Sequence, residues 1–176
     1  GMLLSKDRTS SFLTRLFTSP MTATDFILGY TFPMIIMTVV QASITLLVAG
    51  IFGLDINVNI ILAIIITALT SLLFIGTGLF FGSLLNEKAV GGVCGALLTN
   101  IAGWLSGVFI PIDLIGGAFK AITNILPFYH SVEAIKLSLN GDFSNILPHL
   151  GIVMGYTGII FVFAIITFNR KMAGEK

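Results

Sequence analysis

Charged residues are absent from four long stretches of the chain, 26–54, 56–86, 89–112 and 143–169, which run for 29, 31, 24 and 27 residues and hold 111 of the 176 positions. A helix rising 1.5 Å per residue needs about 20 apolar residues to cross a hydrocarbon layer of roughly 30 Å. Each stretch can cross once and none can comfortably cross twice. The next longest charge-free run in the body of the chain, 121–132, has 12 residues and is too short to span. The pattern predicts transmembrane helices near 27–51, 58–84, 90–110 and 149–169. A soluble helical core would need a polar face on each helix, and Ile60–Ile66 (IILAIII) offers none. A β-barrel would alternate apolar and polar residues over about ten positions. A secretory leader does not fit either, because the N-terminus is polar and the first apolar run is far too long. The fold class is therefore all-α, a polytopic membrane protein.

The segments between spans carry their own periodicity. Residues 1–25 are too polar to insert and read as a cytoplasmic segment; Gly1 before Met2 looks like a cleavage scar and is set aside. Within Ser10–Thr18, Phe12, Leu13, Leu16 and Phe17 fall on one helical stripe and Thr14, Arg15 and Thr18 lie away from it. Such a helix rests in the membrane interface with its apolar face down. A plain anchor and a docking surface for a partner both fit this stripe, and periodicity alone favours the anchor. Ser19-Pro20 then reads as N-cap and first-turn proline of the first span. The 111–148 connection opens with Pro111 and is broken again at Gly116-Gly117 and Pro127. Beyond Pro127, Phe128, Val132, Ile135 and Leu139 share a stripe, Glu133 and Lys136 can pair, and Asn140-Gly141 suits a left-handed cap. The prediction is two short outer re-entrant helices within 112–140. Irregular backbone at membrane depth has to be buried in protein or face water, which implies a cavity or a partner subunit.

Composition agrees. Counted with Gly in place of Tyr, apolar residues make up about 65% of the chain, against roughly 45–50% in soluble proteins, and charged residues only 10%. A net charge of +1 with no basic run beyond two residues argues against a nucleic-acid partner. The single cysteine, Cys94, cannot form an intrachain disulfide or a cysteine-based zinc site. Seven Lys and Arg lie in the N-terminal segment, the 85–89 turn and the tail, against two, Lys120 and Lys136, in the opposite connections. That bias puts both termini, including the 173–176 tail, in the cytoplasm. The transmembrane domain covers 26–172.

Within the spans, Gly78 and Gly82, Gly91 and Gly95, Gly103 and Gly107, and Gly151 and Gly155 have the small-xxx-small spacing by which membrane helices pack closely. Gln41 and Asn100 lie near mid-span, where an amide bonds across helices or lines a wet pathway. Pro33 is expected to kink the first span. His130 and His149 fall at the outer surface without metal-ligand spacing, so no metal site is assigned. The chain has no phosphate-binding Gly-x-x-x-x-Gly-Lys-Ser/Thr loop, no Gly-x-Ser-x-Gly elbow, no His-Glu-x-x-His and no ionisable residue inside a predicted span. Catalysis by this chain and ion-coupled transport are disfavoured, and the energy source is placed in another subunit.

The order of these pieces resembles the membrane permease of type-2 ABC exporters, from about Lys6 to Met172. It is carried by FLTRLFTSPMTATDFILGY (12–30), LSGVFIPIDLI (105–115), LPFYHSVEAIKLSLNG (126–141) and FNRKM (168–172). The resemblance implies that two permease halves pair with two ATP-hydrolysing subunits and expel substrate when ATP closes the ATPases. It makes Phe12–Thr18 (Phe12, Leu13, Arg15, Leu16 and Phe17 among them) the coupling helix that meets the ATPase, and 112–126 and 128–140 the helices closing the exit. No cofactor is expected on this chain, with ATP held by the partner. The implied partners are the ABC ATPase subunit, the bilayer of the cell (cytoplasmic) membrane, and a second permease copy or the leading helices. Such permeases usually have six spans, and these four match the last four; a fragment, a truncated gene product and a split permease all fit. A non-transporting membrane interaction or assembly protein is the alternative from another class.

Overall fold

The computed structural model describes residues 1–8 and 21–174. Among these residues the chain is helical throughout, with four helices long and apolar enough to cross a membrane. A short helix, α1 (Met2–Arg8), precedes the first span, α2 (Ala23–Ile51). Thr22 starts α2 by a reciprocal cap, its Oγ1 accepting from Asp25 N at 3.3 Å while the Asp25 carboxylate accepts from Thr22 N at 2.8 Å. The Ser19-Pro20 start predicted above lies outside the described residues. The α2 helix continues through Pro33.

Two further spans form a hairpin, α3 at Asn59–Leu84 and α4 at Glu87–Leu105. The Asn86 side chain caps α4 by accepting from Ala89 N at 2.9 Å. Gly91–Leu98 winds in wide π-type turns, and Thr99 Oγ1 accordingly reaches back five residues to Cys94 O at 2.9 Å. The α4 helix stops at Leu105 rather than at the predicted 110. Gly107, with φ of 77°, turns the chain so that Phe109 folds over Gly103 and meets Trp104 edge-on at 5.9 Å.

The connection that follows is three helices: α5 (Ile112–Ile115), α6 (Gly117–Ile125) and α7 (Pro127–Asn140). Gly116, at φ 63° and ψ −160°, separates the first two; extended Leu126 before Pro127 separates the next. Gly141 closes α7 in the left-handed conformation, φ 75° and ψ 16°, as the Asn140-Gly141 pair predicts. Finally α8 runs from Phe143 to Gly174, starting six residues before the predicted 149. Pro148 is tolerated because it sits near the helix start, where only the Ser144 carbonyl loses its donor. Asp142 holds that start, accepting from Ser144 Oγ at 3.0 Å and Asn145 Nδ2 at 2.8 Å.

Two buried clusters organise the bundle. At one end Leu4, Phe26, Ile27, Leu79, Ala164 and Phe168 join α1, α2, α3 and α8. Leu4 is 0% exposed, so α1 is part of the core and not the merely polar leader its composition suggested. Tyr30 strengthens the junction by donating to the Asp7 carboxylate at 2.7 Å. At the other end Ile66, Ala134 and Ile146 join α3, α7 and α8. By contrast α2 displays Phe32, Met37, Ile44 and Leu47 outward, the first at 68% exposure. An apolar surface of this kind is stable against acyl chains, not against water.

Candidate functional site

The α7 helix lies alongside α3. Asn59 Nδ2 donates to Leu139 O at 3.3 Å near one end of the pair, and the rings of Phe74 and Phe128 meet at 6.0 Å near the other. Fifteen residues of α3 separate these contacts, about 22 Å at the helical rise. The Pro127 end of α7 therefore reaches roughly halfway down α3.

Between α3, α4 and α7 is a cavity of about 370 Å³. Its lining comes from three helices with the same spacing: Thr67, Thr70, Ser71 and Phe74; Thr99, Ala102, Gly103 and Ser106; Phe128, Ser131, Val132 and Ile135. Each set is i, i+3, i+4, i+7, one face of a helix. The cavity exists because most of these residues are small. A second cavity, about 280 Å³, lies on the α2 side and is lined by Thr38, Gln41, Ala42, Thr45 and Leu46, sharing Thr67 and Ile135 with the first. Gln41 thus sits in a cavity wall. The Asn100 amide donates to Ala96 O at 2.7 Å, within its own helix rather than across helices.

Helix ends inside the bundle are closed by side chains from neighbouring elements. A helix leaves its last carbonyls without intrahelical donors, and lipid supplies none. Near the end of α6, Asn124 O lies 2.8 Å from His130 Nε2 and Ile125 O accepts from Tyr156 Oη at 3.1 Å. Leu139 O, near the end of α7, takes the Asn59 donor already described. The bond to a carbonyl means that His130 Nε2 carries a proton. Its Nδ1 lies 2.7 Å from His149 Nδ1, so one proton is held between the two rings. His130 is only 7% exposed, which corrects its expected surface position. Glu133 and Lys136 pair at 3.7 Å, as their spacing allows.

The glycines divide into three groups. Gly78 and Gly82 face Gly1, and Gly91 faces Met2, so all three lie against the α1 end. Gly103 lies beneath the Phe109 ring and Gly107 against Ile112, both serving the fold-back after α4. At Gly95, Gly151 and Gly155 a Cβ would meet no described atom within 4 Å. The tight approach between spans is at Gly76, outside these motifs, where a Cβ would lie 2.7 Å from Phe161. Phe12, Leu13, Arg15, Leu16 and Phe17 lie outside the described residues. Sequence reasoning missed the hydroxyl lining, although its repeated helical spacing was readable. It also missed the histidine pair, whose members are 19 residues apart without any motif.

Comparison with known proteins adds to this geometry. A family model described as ABC-2 type transporter matches residues 1–139. Nodulation protein J of Rhizobium meliloti (strain 1021) is 25% identical over 126 residues, covering 71% of this chain and 48% of that protein. Nodulation protein J of Rhizobium leguminosarum bv. viciae is 24% identical over 127 residues, covering 72% and 49% respectively. The chain spans about half the length of the curated relatives it matches. No solved structure matches significantly.

Proposed function

The chain belongs to the ABC-2 type transporter membrane family, and from that premise we propose that it is the membrane subunit of an exporter driven by a separate ATPase. The observation that carries the reading is the family match over residues 1–139, which takes in the first three spans and nearly all of α7, with a cavity at the side of α7. The α1 end of the bundle faces the cytoplasm of the cell membrane, and the α7 end faces out. Phe12–Thr18 is the coupling segment that meets the ATPase. Its position in the chain supports this, since α1 and the start of α2, which bracket it, pack into one core cluster. ATP resides on the partner, and α6 and α7 close the exit.

The outward faces of α2 and the open glycines Gly95, Gly151 and Gly155 take a second permease copy or further helices. Gln41 borders the pathway from the α2 side. The test is ATP-dependent movement of substrate into inverted vesicles carrying the complete complex, with and without Arg15→Glu. Export that needs the ATPase and falls on charge reversal supports the reading. Failure of the chain to associate with any ATPase subunit, together with unchanged export in the variant, overturns it in favour of an assembly protein.

A further inference from the structure

The eight residues Gly91–Leu98 of α4 wind in π-type turns, whose amides reach back five residues instead of four. The segment therefore holds one residue more than an α-helix of the same length. The helix beyond it is turned by that one residue, about 100° at 3.6 residues per turn. This sets which side chains α4 presents to the cavity between α3, α4 and α7. With the additional residue, Thr99, Ala102, Gly103 and Ser106 line it. In a continuous α-helix from the same start, the residue before each would take its place: Leu98, Ile101, Ala102 and Leu105. Every one of these positions would gain a larger side chain, and three of them a branched aliphatic one.

From this we infer that Gly91–Leu98 is a register switch: its π winding holds the cavity open, and rewinding to α turns Leu98, Ile101 and Leu105 into the cavity and closes it. The segment is free to rewind. None of its eight residues is buried, a Cβ at Gly92 or Gly95 would meet no described atom within 4 Å, and one at Gly91 would touch the end of the Met2 side chain at 3.6 Å. Its start is fixed by the Asn86 cap and by Val90, 1% exposed. Its far end leads to the turn at Gly107, φ 77°, where the chain can take up a rotation. In both windings the amides find carbonyls on their own helix, so the change draws no donor from lipid. Where the two patterns meet, Thr99 Oγ1 and Asn100 Nδ2 add donors to Cys94 O and Ala96 O, at 2.9 and 2.7 Å. The switch goes beyond the transport reading and does not rest on it, since it follows from the winding and the side chains of α4 alone.

The test uses the full chain in lipid nanodiscs with Cys94→Ala and three cysteine pairs, each joining α4 to Ser131→Cys on α7 through a short bis-methanethiosulfonate reagent. Ser106→Cys reports the π winding and Leu105→Cys the α winding. Trp104→Cys, turned away from the cavity in both, gives the background. The Ser106 pair should cross-link fastest. The Leu105 pair should exceed the Trp104 background and follow at roughly 0.1–10% of the Ser106 rate, the population expected of a minor state. Deleting Gly92, or separately Gly95, removes the additional residue and leaves a continuous α-helix with Ser106 still toward α7. Either deletion should keep the Ser106 cross-link and bring the Leu105 pair down to the background. A Leu105 rate no higher than that of Trp104 in the undeleted chain overturns the switch, and this comparison needs neither deletion to fold. A Leu105 rate that survives the deletions overturns it as well. Loss of the Ser106 cross-link from a deletion variant that still folds would show that the segment has no additional residue to lose.

Discussion

Replacing Gly76 by alanine tests where the spans are held together. A Cβ at Gly76 would lie 2.7 Å from Phe161 Cε2, 2.8 Å from its Cδ2 and 3.2 Å from Ile160 Cγ2. Carbon atoms settle at about 3.5–4.0 Å, so the Phe161 ring or the whole of α8 has to retreat by about an ångström. Overpacking of this kind costs about 1–3 kcal/mol. Alanine returns about 0.5–1 kcal/mol of backbone entropy at a helical site, so Gly76→Ala is expected to destabilise the chain by about 1 kcal/mol. Gly76→Leu, too bulky to be relieved by one ring rotation, should reach the top of the overpacking range. Gly155→Ala is the control: its Cβ meets no described atom within 4 Å, so only the entropic gain remains. Titrating sodium dodecyl sulfate into mixed micelles and following Trp104, the chain's single tryptophan, gives the unfolding curves. If Gly155→Ala costs as much as Gly76→Ala in the isolated chain, the assignment of the α3–α8 contact to Gly76 is wrong. A loss confined to the assembled complex would instead support a partner against the Gly155 face.

Other substitutions reach the remaining contacts. Leu4→Ala removes a fully buried side chain and should cost about 2–5 kcal/mol at the α1 junction; undiminished amide-exchange protection of residues 2–8 would show that α1 is not held this way. His130→Leu leaves the Asn124 carbonyl without its donor, at about 1–3 kcal/mol, whereas His149→Leu spares that bond and should cost less in the same detergent titration. Equal losses would mean that the ring–ring contact carries the effect. Hydrogen bonds from Asn145 and Ser144 hold the Asp142 carboxyl below the ordinary aspartate range. A lowered folded-state value makes its stabilisation present above about pH 4 and lost as pH falls through that lowered value. Carbon-detected titration of Asp142 should therefore show a midpoint below the ordinary one, and a midpoint at or above it would contradict the capping geometry.

How much of this was readable in the sequence differs by kind of interaction. Charge-free length located all four spans, because crossing lipid is a one-dimensional requirement met by each segment alone. Boundaries failed where a neighbour decided them. The α4 helix ends early because Phe109 folds back over Gly103, and α8 starts early because Asp142 caps a turn of otherwise ordinary polarity. Met2–Arg8 reads as polar, yet Leu4 and Asp7, three residues apart and so on one face, dock it against α2 and its neighbours. Glycine spacing marks where close approach is permitted and not what approaches. Gly78 and Gly82 meet Gly1, the residue before α1, and Gly76, outside any such motif, meets α8. The three lining stripes around the cavity were present as i, i+3, i+4, i+7 sets, but only the third dimension turns them toward one another.

The polar side chains of this bundle make two kinds of bond, one within a helix and one between elements. Hydroxyls within the spans donate to carbonyls of their own helices, as Thr38, Ser43, Thr77 and Thr157 do. Such groups cost nothing to face lipid or an empty cavity, since each is satisfied before any neighbour arrives. In α6 and α7 the hydroxyls of Thr123, Ser131 and Ser138 do the same, and bonds between elements are added, from Asn59, His130 and Tyr156 to three carbonyls near helix ends. A helix end leaves its last carbonyls without intrahelical donors, and here a side chain from another element reaches each of the three. The same bonds tie α6, α7, α3 and α8 together at one end of the bundle. Any movement that opens a path beside α7 must therefore exchange these donors for others, water among them, or leave carbonyls unpaired. On the proposed transport reading, the cost of such an opening falls on the bonds of Asn59, His130 and Tyr156, since the hydroxyls lining the cavity are bonded within their own helices.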